Sequence, residues 1–311
     1  MTNAASCAVS NNLDIPCDPR LPKEAYLSIN HCNLPAAILG GLTFQRHPAP
    51  LLLDGVAELH ARLFRRLAVL TEPEARAQQF MDYVTVYFRL EALEEVGLTP
   101  GRPKSKLRGR ADYLRMVRGW AFDTDSREGA VLKGWVESRF GLLTRYHGGL
   151  FNDRANDTYL HFMEARSHGL YNTNALEAQL DLLYTYCQYE LYRQQSPEQM
   201  HLTLYRGFNR FSDDQVLHQT DRRRWIVLLN NLSSFSVQRE RAEEFGDHLL
   251  RAQVPISKVF FYNRVLPGML KGEDAVSYTH LDVYKRQDRE SAPDAGQSSQ
   301  SIHASFRHHR A

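Results

Sequence analysis

The hydrophobic rhythm of the chain changes once, at Pro197, and that change limits what the chain can become. Before it, apolar residues recur at three- and four-residue steps; after it they alternate or run together in short stretches. Three- and four-residue steps gather side chains on one face of a helix, and alternation gathers them on one face of a strand. The expected fold class is α+β, a helical N-terminal part followed by a β-rich core.

Residues 1–50 are punctuated by Pro16, Pro19, Pro22, Pro35, Pro48 and Pro50. An irregular lead-in is expected there, with the apolar stretch Leu34 to Phe44 packed on the rest. In the helical region, residues 51–197, the spacing of Val56, Leu59, Leu63, Leu67 and Leu70 predicts one amphipathic helix with Asp54 as its N-cap. Thr71-Glu72-Pro73-Glu74 reads as a capping box with proline in the first turn. The helix it opens should carry Phe80, Tyr83, Val84, Tyr87 and Phe88 inward and end near Gly97.

Arg102, Lys104, Lys106, Arg108 and Arg110 then form a basic loop, either solvated or suited to an acidic partner. Further helical pieces are expected at Ala111 to Trp120 and Ala130 to Leu143. Asn174 with Glu177 should cap a helix whose stripe is Leu176, Leu180, Leu183, Cys187 and Leu191. Tyr184, Tyr186, Tyr189 and Tyr192 on that helix have the spacing of core and rim, a stacking surface being the alternative. The β part, residues 198–274, offers strands at His201 to Tyr205, Trp225 to Leu229, Ala252 to Ile256 and Val259 to Tyr262.

Composition removes several function classes. With 24% charged residues and a formal net charge of +2, the chain lacks the concentrated basic face of a nucleic-acid module. The four cysteines, Cys7, Cys17, Cys32 and Cys187, have no zinc-ligand spacing, so free thiols and no metal are expected. Nowhere do eighteen apolar residues run together, and no basic segment followed by an apolar one opens the chain. A cytoplasmic protein without a membrane span is the expectation.

Three polar motifs stand beside the apolar strand segments. Arg206, followed by Gly207, offers a bidentate fork where backbone can come close, which suits a phosphate; a salt bridge at a strand end is the plainer alternative. Ser233, Ser234 and Ser236 precede a short helical pattern, Arg239 to Phe245, with Ala242 and Phe245 inward, and as N-caps they would need no further role. A late acidic pair, Glu273 and Asp274, follows Lys271-Gly272.

Taken in order, Leu-Tyr-Arg-Gly at 204–207, Ser-Phe-Ser at 234–236 with Ala-x-x-Phe at 242–245, and Gly-Glu-Asp at 272–274 resemble the Arg–Ser–Glu pattern of mono-ADP-ribosyltransferases. Segments 28–40, 128–143 and 173–191 widen the resemblance to the branch that modifies dinitrogenase reductase, the nitrogenase iron protein. It extends over residues 25 to 274. The resemblance implies an ADP-ribosyltransferase-like β core and NAD as co-substrate, with ADP-ribose passed to an arginine of the iron protein and nitrogen fixation switched off. It also implies control by a PII-type nitrogen-signalling protein. By the same resemblance Arg206 clamps the NAD phosphates beside Gly207, and Ser234, or alternatively Ser236, holds the ribose side. Glu273 addresses the acceptor guanidinium, and Phe261 and Tyr262 meet the acceptor protein.

In arginine-specific members of the family the last motif is Glu-x-Glu, and the second glutamate is the main catalytic group. This chain has Ala275 there. It then reads Val-Ser-Tyr-Thr-His-Leu-Asp-Val-Tyr-Lys-Arg-Gln at 276–287, which looks like a translated adapter peptide. A truncated core, an unpaired sheet edge and a disordered tail over 275–311 are expected, the tail histidines His303, His308 and His309 included. The expected activity of the chain as written is impaired, and a catalytically silent protein that still binds NAD or its partner is the alternative.

Overall fold

A computed structural model describes residues 20–90, 111–147, 157–171, 173–196, 198–211, 215–219, 224–268, 275–278 and 282–288. Ten α-helices among them are α1 Ala36–Leu39, α2 Leu42–Arg46, α3 Val56–Leu59, α4 Ala61–Ala68, α5 Pro73–Phe88, α6 Tyr113–Phe122, α7 Arg127–Phe140, α8 Asp157–Gly169, α9 Ala175–Gln194 and α10 Arg239–Glu243. The strands are β1 His201–Phe208, β2 Val216–Gln219, β3 Arg224–Val227, β4 Ser233–Ser236, β5 His248–Pro255, β6 Val259–Tyr262, β7 Ala275–Tyr278 and β8 Asp282–Asp288. They form one antiparallel sheet in the order β2-β3-β8-β5-β1-β4-β7-β6. Helices before, strands after: the α+β architecture is as the rhythm predicts.

The helix α9 carries most of the join between the two parts. Its stripe of Leu176, Leu180, Leu183, Cys187 and Leu191 is buried, and Trp135 of α7 and Phe260 of β6 meet at 4.9 Å in the same core. Polar side chains on α9 tie down the break between β5 and β6. The Tyr184 hydroxyl lies 3.0 Å from the Leu51 carbonyl oxygen and 2.8 Å from that of Ser257. Gln188 Nε2 donates to the carbonyls of Ile256 and Val259 at 3.2 and 2.7 Å. A strand break buried under a helix needs such partners, because unpaired buried carbonyls are costly. From the lead-in, Gln45 Nε2 donates to the Gln253 carbonyl, 2.8 Å, and fastens α2 to β5.

Several local expectations give way to long-range packing. The helix read over 56–70 is broken at His60, which leaves helical geometry (φ −103°, ψ 22°) and is buried with Nδ1 2.9 Å from the Tyr83 hydroxyl. The residue before α3 is Gly55 at φ 77°, a left-handed conformation that glycine adopts at little cost, so Asp54 is not the cap. Before α5 the Thr71 hydroxyl donates to the Glu72 carboxylate instead of capping an amide. The helix stops at Phe88, where Arg89 turns left-handed, and Tyr87 is 49% exposed. The basic loop at 102–110 lies outside the described residues.

At α9 it is Thr173, not Asn174, whose hydroxyl accepts from the Ala175 amide, 3.1 Å. Glu177 turns away from the helix start because two guanidiniums draw it, Arg166 at 3.2 Å and Arg139 at 3.5 Å. The helix α8 has no counterpart in the sequence reading: Leu160 and Met163 are exposed, so it carries no continuous apolar stripe to read.

The C-terminal expectation also changes. Residues 275–278 and 282–288 are strands rather than an unstructured tail, and the sheet has no unpaired edge where residue 275 begins. β7 lies between β4 and β6, and β8 between β3 and β5.

Candidate active site

Arg206 and the serines are brought together because β1 and β4 are neighbours, with Tyr205 opposite Ser236. A strand, not a helix cap, holds the serines. Ser233 and Phe235 are buried on one face of β4, and Ser234 and Ser236 are half-buried on the other. The Arg206 Nη1 donates to the Ser234 carbonyl at 2.7 Å and lies 3.4 Å from its hydroxyl, and the guanidinium sits 5.9 Å from the centre of the Phe235 ring. Ring and serine together fix the direction of the fork.

The Ser236 hydroxyl accepts from the Gln238 amide, 3.0 Å, and so sets the turn into α10. That short helix lies against β1 so closely that a Cβ on Gly207 would run into the Ala242 carbonyl. Glycine is required there by close approach, not by φ. Across β4 from β1 lies β7, whose register sets residue 275 opposite Ser236 and residue 277 opposite Ser234. The position that holds alanine in this chain is thus the ladder neighbour of a site serine. Glu273, the other carboxylate position, lies outside the described residues.

These groups line a cleft of about 320 Å³. Its sheet wall is Tyr205, Arg206, Gly207, Ser234, Phe235 and Ser236, with Arg241, Ala242 and Phe245 beside it. The opposite wall comes from the helical part: Trp120 and Ala121 in the last turn of α6, and Thr124 just beyond. Trp120 is 2% exposed and its indole Nε1 has no hydrogen-bond partner among the described residues. The wall of α6 was not visible in the sequence, because α6 reads there as an ordinary core helix. Arg241 had a readable signal, a cation five residues after Ser236 and the second one past the serine motif. Phe245, expected inward, lines the cleft while remaining 59% exposed.

Phe261 and Tyr262 do not meet the expectation that they face an acceptor protein. Phe261 is 1% exposed and Tyr262 8%, both in the core, and the Tyr262 hydroxyl accepts from Gln194 Nε2 at 3.1 Å. The run Val259 to Tyr262 is apolar throughout because both faces of β6 are covered.

A cleft with a fixed guanidinium, two hydroxyls and an aromatic floor can hold a phosphorylated ligand and orient its sugar. Among the described residues no cluster of His, Cys, Asp and Glu is able to hold a metal, and no helix is long and apolar enough to cross a membrane.

The family described as dinitrogenase reductase ADP-ribosyltransferase matches residues 29–277. The chain is 38% identical over 247 residues to the NAD(+)--dinitrogen-reductase ADP-D-ribosyltransferase of Rhodospirillum rubrum, covering 79% of this chain and 89% of that protein. No solved structure matches it. The match takes in α1 to α9, Arg206, the serine strand and the first three residues of β7, and on that extent the chain belongs to the dinitrogenase reductase ADP-ribosyltransferase family.

Proposed function

We propose that this chain transfers ADP-ribose from NAD to an arginine of dinitrogenase reductase, the nitrogenase iron protein, releasing nicotinamide and switching nitrogenase off. The observation that carries the reading is the meeting of Arg206, Gly207, Ser234 and Ser236 in one cleft, with residue 275 across the ladder from Ser236. Arg206 clamps the NAD pyrophosphate, and Gly207 lets α10 close against β1 beside it. Ser234 holds the ribose side, with Ser236 as the second candidate. The bond from ribose C1′ to the nicotinamide nitrogen breaks, its electron pair leaving with neutral nicotinamide. The oxocarbenium-like carbon is then attacked by a guanidine nitrogen of the acceptor. Glu273 orients that guanidinium and takes its proton, which is necessary because a guanidinium stays protonated in water and offers no lone pair for the attack.

The position of the second glutamate is Ala275, so the charge that would stabilise the cationic transition state is missing. Losing one preorganised group of this kind costs about a hundred- to a thousandfold in rate. The decisive measurement is transfer of labelled ADP-ribose from NAD to purified dinitrogenase reductase by the parent and by Ala275→Glu. The variant should exceed the parent at least about a hundredfold. Equal rates would refute the role given to residue 275, and NAD binding without transfer by either would favour a silent binding protein. Action in the cytoplasm and control by a PII-type protein belong to the same reading, with no residue assigned to that control.

A further inference from the structure

We infer that the turn between α6 and α7 is the edge on which the acceptor protein docks, with Phe122 as the apolar anchor and Asp123 as the charge that meets a basic, arginine-bearing segment. The inference rests on the proposed transfer to a protein acceptor. Transfer requires the acceptor nitrogen to reach the reacting carbon inside the cleft, so a folded acceptor has to sit against the cleft's rim. Trp120, Ala121 and Thr124 form the helical wall of that cleft, and Phe122 and Asp123 lie between them in sequence.

Phe122 is 95% exposed, the most exposed large apolar side chain among the described residues. Its position on the helix explains why none of the described residues covers it. Tyr113, Met116, Val117 and Trp120 make the buried stripe of α6, and two residues past Trp120 is the far side of the helix. An aromatic ring held in water beside an active cleft is the usual composition of an interface anchor.

The turn is rigid rather than loose. Asp123 Oδ1 accepts from the Asp125 amide at 2.9 Å, and the Ser126 hydroxyl caps α7 by accepting from the Gly129 amide at 3.0 Å. Lys133, 1% exposed on α7, pairs with Asp125, whose other oxygen accepts from the His147 amide at 3.1 Å. Packing closes it as well: a Cβ on Gly129 would strike the Thr124 carbonyl. An anchor presented by a braced turn loses little freedom on binding. The exposed apolar residues Leu59 and Val69, by contrast, belong to α3 and the end of α4, and no residue of either helix lines the cleft.

The test is the dissociation constant for purified dinitrogenase reductase at saturating NAD, for the parent, Phe122→Ala, Asp123→Asn and Leu59→Ala. Asparagine keeps the side-chain oxygen that holds the turn while removing its charge. Phe122→Ala should weaken binding about tenfold or more, and Asp123→Asn several-fold with a shallower salt dependence. NAD affinity and thermal midpoint should stay parental in both, and Leu59→Ala should bind as the parent does. Parental affinity in Phe122→Ala would overturn the inference alone, as would an equal loss of NAD affinity, which would move the effect into the cleft. A parent that binds NAD but not the iron protein would overturn the proposed acceptor, and the docking edge with it.

Discussion

Two arginines show how differently the helical part and the sheet use the same side chain. Arg76 on α5 is 3% exposed and spends its donors on the chain itself: Nε and Nη2 reach both oxygens of Glu190 at 2.7 and 2.8 Å, and Nη1 reaches the carbonyls of Leu70 and Thr71. Arg206 is half-buried, lies over Phe235, reaches the carbonyl and hydroxyl of Ser234, and opens on the cleft. One charge is sealed against a carboxylate to close α5 on α9; the other, beside Ser234 and Phe235, lines the cleft. Burial and position, more than residue type, separate a structural cation from a binding one.

The largest effect should come from breaking the sealed pair. Glu190→Ala leaves a buried guanidinium without its carboxylate and should lower unfolding stability by about 3–5 kcal/mol in denaturant titration. A loss below about 1 kcal/mol, the range of a surface pair, would dissolve the contrast. Next in size, Arg206→Lys in an Ala275→Glu background should reduce ADP-ribosyl transfer about a hundredfold with little change in unfolding midpoint, since an ammonium cannot reproduce the fork. If stability fell and transfer did not, Arg206 would belong with Arg76.

Gly207→Ala pushes a methyl into the Ala242 carbonyl, and its cost should be about 1–3 kcal/mol together with weaker NAD binding. A fully stable Gly207→Ala protein would mean that α10 can lift away from β1. The smallest effect is a pH dependence in the helical part. Burial lowers the His60 pKa, so the unfolded chain takes up a proton at a higher pH than the folded chain does. Stability contributed by neutral His60 is therefore present above the usual imidazole pKa of about 6.5 and lost as pH falls toward the lower folded value. The thermal midpoint of the parent should drop more steeply on acidification than that of His60→Phe, and identical slopes would remove His60 from the account.

Legibility in the sequence followed periodicity where one element sufficed. The α9 stripe and the change at Pro197 could be read because each rests on local spacing, and α8 could not because its apolar residues do not share a buried face. Arg206 and Ser234 were readable as types, yet their meeting depends on β1 lying beside β4, a pairing that no local pattern specifies. Ser233 to Ser236 read locally as caps, and two flanking strands made them sheet interior. Phe261 and Tyr262 teach the opposite lesson. Their continuous apolar run already announced a strand covered on both faces, and a resemblance-based role as acceptor contacts ran against it. Trp120 was invisible as a site residue because the wall it belongs to arises from helix-on-sheet packing across a long stretch of chain.

The Tyr184 and Gln188 side chains on α9 bear on how this protein can be dissected. A fragment beginning at residue 198 would keep every polar motif of the cleft's sheet wall, yet the carbonyls of Ile256, Ser257 and Val259 would lose their helix-borne partners and Phe260 its cover. The strand that follows would then present raw apolar surface to solvent, the condition under which sheet fragments aggregate. A minimal soluble transferase cannot be cut from this chain at the point where its sequence changes character.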